Sequence, residues 1–184
     1  MKGSIDNVLT LGNVEKVNER NMTLYGACDS NWAEDLDDRQ STSGYIFMIN
    51  SGTISWQTKK QQMVATSTMQ AEYQALSGAV KEALWIWSIL EEMTFKQEKY
   101  MVIDQDNKST IALVNHPMNH AWTKHIDVAY HFIRESIEDK MIELQYCATD
   151  NMKADVMTKT LPLAKFKKCK YLMKVRNCEE NEQE

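Results

Sequence analysis

Between Thr68 and Met93 the apolar side chains Met69, Tyr73, Leu76, Val80, Ala83, Trp87 and Leu90 recur at spacings of four and three. Such a stripe demands a long helix with one buried face, and that face must be packed against another layer. Ser67 and Gln70 fit a capping box at its start, in which each side chain satisfies a backbone N–H left over by the first turn. What precedes the helix reads as strands. From Met22 to Asp29, Met22, Leu24, Gly26 and Cys28 fall on one face and Thr23, Tyr25, Ala27 and Asp29 on the other. Gly44 to Ile49 is a continuous apolar run, and Thr53 to Thr58 alternates, with Ile54 and Trp56 sharing a face. The Asn50-Ser51-Gly52 segment between them is a hairpin loop.

Beyond the long helix, Tyr100 to Asp106 reads as a strand ending in acid, and Lys108 to Asn115 as a short helix stopping before Pro117. Ile126, Tyr130, Ile133 and Ile137 mark another helix, and Met141 to Cys147 alternates as a fifth strand. Thr149 or Asp150 caps a helical turn that follows. Pro162 interrupts, and a last helix resumes with Phe166, Cys169 and Met173 inward. The order βββ-α-β-α-α-β-α predicts an α/β domain: a five-stranded mixed sheet, a three-strand antiparallel meander plus two further strands, flanked by helices. We place a lead-in at residues 1–21, the domain at 22–176 and a polar tail at 177–184.

A chain of 184 residues holds enough material for one real core. Its formal net charge of −5 argues against tight non-specific binding to nucleic acid, though not against an enzyme that grips its substrate through metal ions and a few local contacts. The cysteines Cys28, Cys147, Cys169 and Cys178 form no C-x-x-C pair and read as free thiols of a reducing compartment. No apolar run approaches membrane-spanning length and none fits a signal peptide, so an intracellular, non-membrane protein is expected.

Four acids fall where an α/β sheet builds its sites. Asp29 closes the first strand, Asp106 or Asp104 ends the fourth, Glu72 lies near the start of the long helix beside its apolar stripe, and Asp155 lies about one turn into the helix after the fifth strand. Taken singly, each reads plainly as turn or helix-end chemistry. Converging, they could not all stay ionised without cations between them. Hard oxygen ligands suit Mg²⁺, and two such ions can activate a water and stabilise the leaving oxygen in phosphodiester cleavage.

The same residues carry a family resemblance. Cys28 to Phe47, Ile54 to Leu76, Asp106 to Leu113, Thr123 to Glu135 and Thr149 to Pro162 resemble, in order and at compatible spacings, blocks of the ribonuclease H domain that ends the Pol polyprotein of copia-type LTR retrotransposons. The resemblance runs from about Met22 to about Met173. It implies an RNase H-like fold and Mg²⁺-dependent hydrolysis of the RNA strand of RNA–DNA hybrids, with two Mg²⁺ ions and Mn²⁺ able to substitute. It puts the family's metal-binding, catalytic tetrad on Asp29, Glu72, Asp106 and Asp155. Implied partners are the hybrid and the reverse transcriptase domain of the parent polyprotein, with no membrane and no small-molecule cofactor. The implied compartment is the cytoplasm, inside a virus-like particle of the parent element, with the nucleus as a second place.

Several residues depart from the family pattern. Asn31 replaces an Asp, Glu34 a Gly, Gln105 a common Cys and Ala129 an Arg, and Asp104 adds an acid on the same strand face as Asp106. These departures support an alternative: a degenerate, non-catalytic fragment that keeps the fold and binds hybrids weakly or not at all. Lys59 and Lys60, after the third strand, and Lys124 and His125, at a helix start, are expected to contact nucleic acid. Trp87 lies on the long helix's stripe and Trp85 off it, and the lysines of the last helix read as a solvated face. Asp35, Asp37 and Asp38 are expected to shape a solvated loop.

Overall fold

The structure, a computed structural model, describes residues 7–9, 24–50, 52–95, 100–115 and 124–177. A three-residue strand, Asn7–Leu9 (β1), comes first. The meander is Leu24–Asn31 (β2), Thr42–Ile49 (β3) and Gly52–Lys60 (β4), followed by the helix Thr68–Glu92 (α1). Met101–Gln105 (β5), Lys108–Asn115 (α2), Lys124–Glu138 (α3), Ile142–Tyr146 (β6), Asp155–Thr158 (α4), Leu163–Leu172 (α5) and Val175–Asn177 (β7) follow among the described residues. The main sheet has the order β4-β3-β2-β5-β6. β3 pairs antiparallel with β2 and β4, whereas β5 pairs parallel with β2 and β6. This is the five-stranded mixed sheet expected from the pattern.

The alternation along β2 sorts its side chains between two layers. Leu24 and Cys28 enter the main core with Tyr45 and Phe47 of β3 and the α1 residues Tyr73, Leu76, Val80, Ala83 and Leu90. Burying each large apolar side chain of this set contributes about 1.5–3 kcal/mol. Met69 and Trp87 pack at its margin, while Trp85, off the stripe, is exposed. Tyr130 and Ile133 of α3 close the same core. On the other face Ala27 packs with Met152 and Ala154, and Ile46 and Met48 pack with Met173.

The capping box is shifted by one residue on one side. The Gln70 N–H donates to Ser67 Oγ at 3.2 Å, but Gln70 Oε1 accepts from the backbone N–H and the hydroxyl of Thr66. β1 pairs antiparallel with β7, from Asn7 opposite Asn177 to Leu9 opposite Val175, so part of the expected lead-in meets the end of the domain. Two expectations need correction. Phe166 is 44% exposed; the inward row of α5 is Lys165, Cys169 and Met173, at spacings of four. Neither Thr149 nor Asp150 caps a helix by its side chain: residues 149–151 form a 3₁₀ turn, and α4 starts after Ala154, at Asp155 itself. The start of the first strand at Met22, the tail from Cys178, His116, His120 and the side chains of Lys124 and His125 lie outside the described residues.

Candidate active site

Parallel pairing sets Ala27 beside Asp104, so two residues onward Asp29 of β2 and Asp106, just past β5, are neighbours at the carboxyl ends of their strands. Glu72, the fifth residue of α1, enters from the helix above. One carboxylate oxygen from each of Asp29, Glu72 and Asp106 lies within 4.8 Å of the other two. Asp29 and Glu72 are buried and Asp106 is partly so. Glu72 Oε2 is buried with no hydrogen-bond partner among the described residues. Asp106 Oδ2 accepts from the Thr149 hydroxyl at 3.0 Å, which ties the acid to the turn after β6.

Burial pushes the Glu72 carboxyl up to about 8, and the neighbouring Asp29 and Asp106 add to the rise. Burial likewise lifts Asp29 to about 6, against the opposing pull of Lys159 and the Thr158 hydroxyl. Cys28, directly behind, has its thiol raised well above the ordinary value by burial and then by Glu72 and Asp29. These are the marks of negative charge crowded into a dry site. A partnerless buried carboxylate oxygen among three convergent acids fits a hard divalent cation, which prefers oxygen ligands.

Asp155, fully buried, stands outside that group and is joined to it by a lysine. Lys159 Nζ lies 3.0 Å from Asp29 Oδ1 and 2.8 Å from Asp155 Oδ1. Lys165 pairs with the other Asp155 oxygen, and the Thr158 hydroxyl donates to Asp29 Oδ2. Burial works against the charge of Lys159, but Asp29 and Asp155 outweigh it and hold the ammonium above the ordinary lysine range. Lys159, Lys165 and Thr158 are site residues that sequence reasoning missed. The signal was there for one of them: Lys159 is four residues past Asp155, the spacing that brings helical side chains together.

Gly44 is what lets α4 come this close. It lies opposite Asp29 in the β2–β3 ladder, and a Cβ there would stand 2.5 Å from Met157 Cβ and 2.8 Å from Thr158 Cγ2. Thr58 Oγ1 donates to the Met157 carbonyl at 2.8 Å, and Asn31 Nδ2 to the Thr158 carbonyl at 2.7 Å. Asn31 Oδ1 accepts from the Thr42 N–H at 2.8 Å, and its amide also donates to Glu34. Two departures from the family pattern therefore meet in one contact.

Asp104 lies outside the three-acid group. It is buried beside Cys147, 4.0 Å from Lys153, and burial raises its carboxyl while Lys153 opposes the rise. Lys60 bridges Asp35 at 2.5 Å and Asp38 at 2.7 Å, and both carboxylates also accept N–H bonds from their own loop. Lys59 is exposed and lines a groove of about 480 Å³ with Gln57, Gln61, Gln70, Gln74 and Lys81. No helix among the described residues is long and apolar enough to cross a membrane.

The sheet order, with helices on both faces and acids at the carboxyl ends of β2 and β5, defines an RNase H-like domain. LC11-RNase H1, solved in complex with an RNA/DNA hybrid, superposes with a TM-score of 0.54 at 9% identity, covering 74% of this chain and 94% of that one. The chain is related to the Pol polyproteins of copia-type retrotransposons. It is 39% identical over 173 residues to the retrovirus-related Pol polyprotein from transposon TNT 1-94 of Nicotiana tabacum, which covers 94% of the chain. It is 35% identical over 145 residues, 79% of the chain, to that from transposon RE1 of Arabidopsis thaliana. The chain spans only 12% and 10% of the length of these two relatives. No protein-family model matches it.

Proposed function

We propose that the chain is a Mg²⁺-dependent ribonuclease H domain that hydrolyses the RNA strand of RNA–DNA hybrids during retrotransposon reverse transcription. The observation that carries this reading is the convergence of Asp29, Glu72 and Asp106, with Glu72 Oε2 buried and without a hydrogen-bond partner among the described residues. Asp29, Glu72, Asp106 and Asp155 are the residues that would hold two Mg²⁺ ions, with Mn²⁺ as a substitute. Bound there, the ions would supply water activation and charge neutralisation for phosphodiester hydrolysis. The chain's own contribution is orientation: Thr149 fixes Asp106, Thr158 fixes Asp29, and burial of Glu72 keeps bulk water from competing for its oxygens.

We assign the substrate class by analogy with LC11-RNase H1, solved in complex with an RNA/DNA hybrid, and hybrid recognition rests on backbone geometry and 2′-OH contacts. Lys59 on the groove, and Lys60, Lys124 and His125, are the residues we assign to the hybrid. The reverse transcriptase domain of a parent polyprotein is the protein partner. The compartment is the cytoplasm, in a virus-like particle, with the nucleus as a second place.

One observation favours a second reading. The lysine ammonium between Asp29 and Asp155 already balances the charge there, as in a fold that has kept its shape without its chemistry. Incubating the purified chain with a labelled RNA–DNA hybrid and Mg²⁺, beside Asp104→Asn and Asp106→Asn, separates the two. Cleavage lost with Asp106→Asn and kept with Asp104→Asn supports the nuclease. The reverse pattern overturns the site, and no cleavage at any protein concentration supports the second reading.

A further inference from the structure

The two sides of Asp29 are not equivalent. Toward Glu72 and Asp106 there is a buried carboxylate oxygen, Glu72 Oε2, with no donor among the described residues. Toward Asp155 every carboxylate oxygen is engaged: Asp29 by Lys159 and Thr158, Asp155 by Lys159 and Lys165. We propose that Lys159 is a built-in counter-cation that occupies the Asp29–Asp155 position, so that a divalent ion can enter there only as the ammonium withdraws. The inference rests on the metal-site reading above and goes beyond it, because it makes the two ions unequal and names the residue responsible.

Three features make Lys159 suited to leaving. Its side chain is 32% exposed while both partner carboxylates are fully buried, so it has a path to water that they lack. Its ammonium is a compact point charge on a flexible stem, without the fixed fork that would lock an arginine in place. Lys165 stays on the second Asp155 oxygen, so Asp155 keeps a partner when Lys159 departs. The lysine thus keeps two buried carboxylates from facing each other uncompensated while the site holds fewer than two divalent ions, which would otherwise be costly. On the Asp29–Glu72–Asp106 side Glu72 Oε2 has no donor among the described residues, and that side fills first.

The test is a Mn²⁺ titration of the full chain, with free ion counted by electron paramagnetic resonance. The wild type should bind one Mn²⁺ and take a second at least about tenfold more weakly, within the usual range of coupling between sites. Lys159→Met should tighten the second ion by about tenfold or more, and by more than it tightens the first. Lys159→Arg, which keeps the charge, should hold the second ion at or below its wild-type affinity. Equal affinities in the wild type, an unchanged second ion in Lys159→Met, or a tightened one in Lys159→Arg overturns the proposal. Should Lys159→Met melt below the assay temperature in chelator, the thermal shift decides: Mn²⁺ must raise its melting temperature more than it raises that of the wild type. A wild-type titration superimposable on that of Glu72→Gln overturns the metal site itself, and the guard with it. Loss of the guard alone leaves the first ion in place.

Discussion

Asp29 and Gly44 face each other across the β2–β3 ladder, and the hydrogen on Gly44 leaves the space through which α4 reaches the Asp29 carboxylate. Gly44→Ala would place a methyl 2.5 Å from Met157 Cβ, and both sides of that contact are held by elements with little freedom. Overpacking of this kind costs about 1–3 kcal/mol. Urea unfolding should show that loss, and Mn²⁺ titration should show weakened binding, because the Thr158–Asp29 hydrogen bond is displaced with the helix. Unchanged stability would mean that α4 adjusts without strain.

The acids give stability a pH dependence with a definite sign. Glu72 binds its proton more tightly folded than unfolded, so the folded state gains from low pH. That gain is complete below the ordinary value of 4.5 and is lost as pH rises to about 8. Asp29 adds a slope of the same sign between 3.8 and about 6. Metal-free melting temperature attributable to the site should therefore fall from pH 5 to pH 8. Glu72→Gln should flatten the upper part of that fall and melt higher than the wild type at pH 8. A wild-type slope retained in Glu72→Gln would show that another group is responsible.

Metal binding should release protons. Near pH 7 the Glu72 carboxyl is largely protonated in the metal-free chain, and a cation ligand must be ionised. Calorimetric titration with Mg²⁺ in two buffers of different ionisation enthalpy should report release of about one proton at pH 7 and almost none at pH 9. Buffer-independent heats at pH 7 would show that Glu72 is not a ligand.

Asn31 and Glu34 should behave as a pair. Asn31 donates to the Thr158 carbonyl and to Glu34, and a carboxylate in its place can donate to neither. Asn31→Asp alone should cost about 1–3 kcal/mol, the usual penalty for stranding an acceptor and facing like charges. Combining it with Glu34→Gly should recover part of that loss. Additive effects in the double-mutant cycle would refute the coupling.

How far the sequence carried the fold depended on element length. α1, with 25 residues and a stripe of seven apolar residues, is unambiguous, and the five strands of the main sheet each carry a period of two or a bounded apolar run. β1 and β7, with three residues apiece, are too short to show a period, and their pairing joins opposite ends of the chain. Strand-end and helix-end positions alone do not single out Asp29, Glu72, Asp106 and Asp155, and the resemblance supplies the set; position leaves Asp104 open beside Asp106, and in the structure Asp104 pairs with Ala27 while Asp106 joins Asp29 and Glu72. Apolarity alone places Phe166 on the inward face of α5, yet its ring is exposed. On α5 the inward row begins with Lys165, because a buried Asp155 needs a cation more than the core needs another ring.

Cys28 and Asp29 are successive residues on one strand, the first turned into the apolar core and the second into the acidic site. The reading frame of β2 against its neighbours is therefore part of the chemistry. Moving the strand by a single residue would bring the carboxylate into the oily layer and hand the thiol to the acids. Single-residue insertions or deletions between Leu24 and Asn31 should thus abolish folding and metal binding together, whereas length changes in the Trp32–Gln40 loop should spare the fold. Within this segment, no shift of register loses the site and keeps the core.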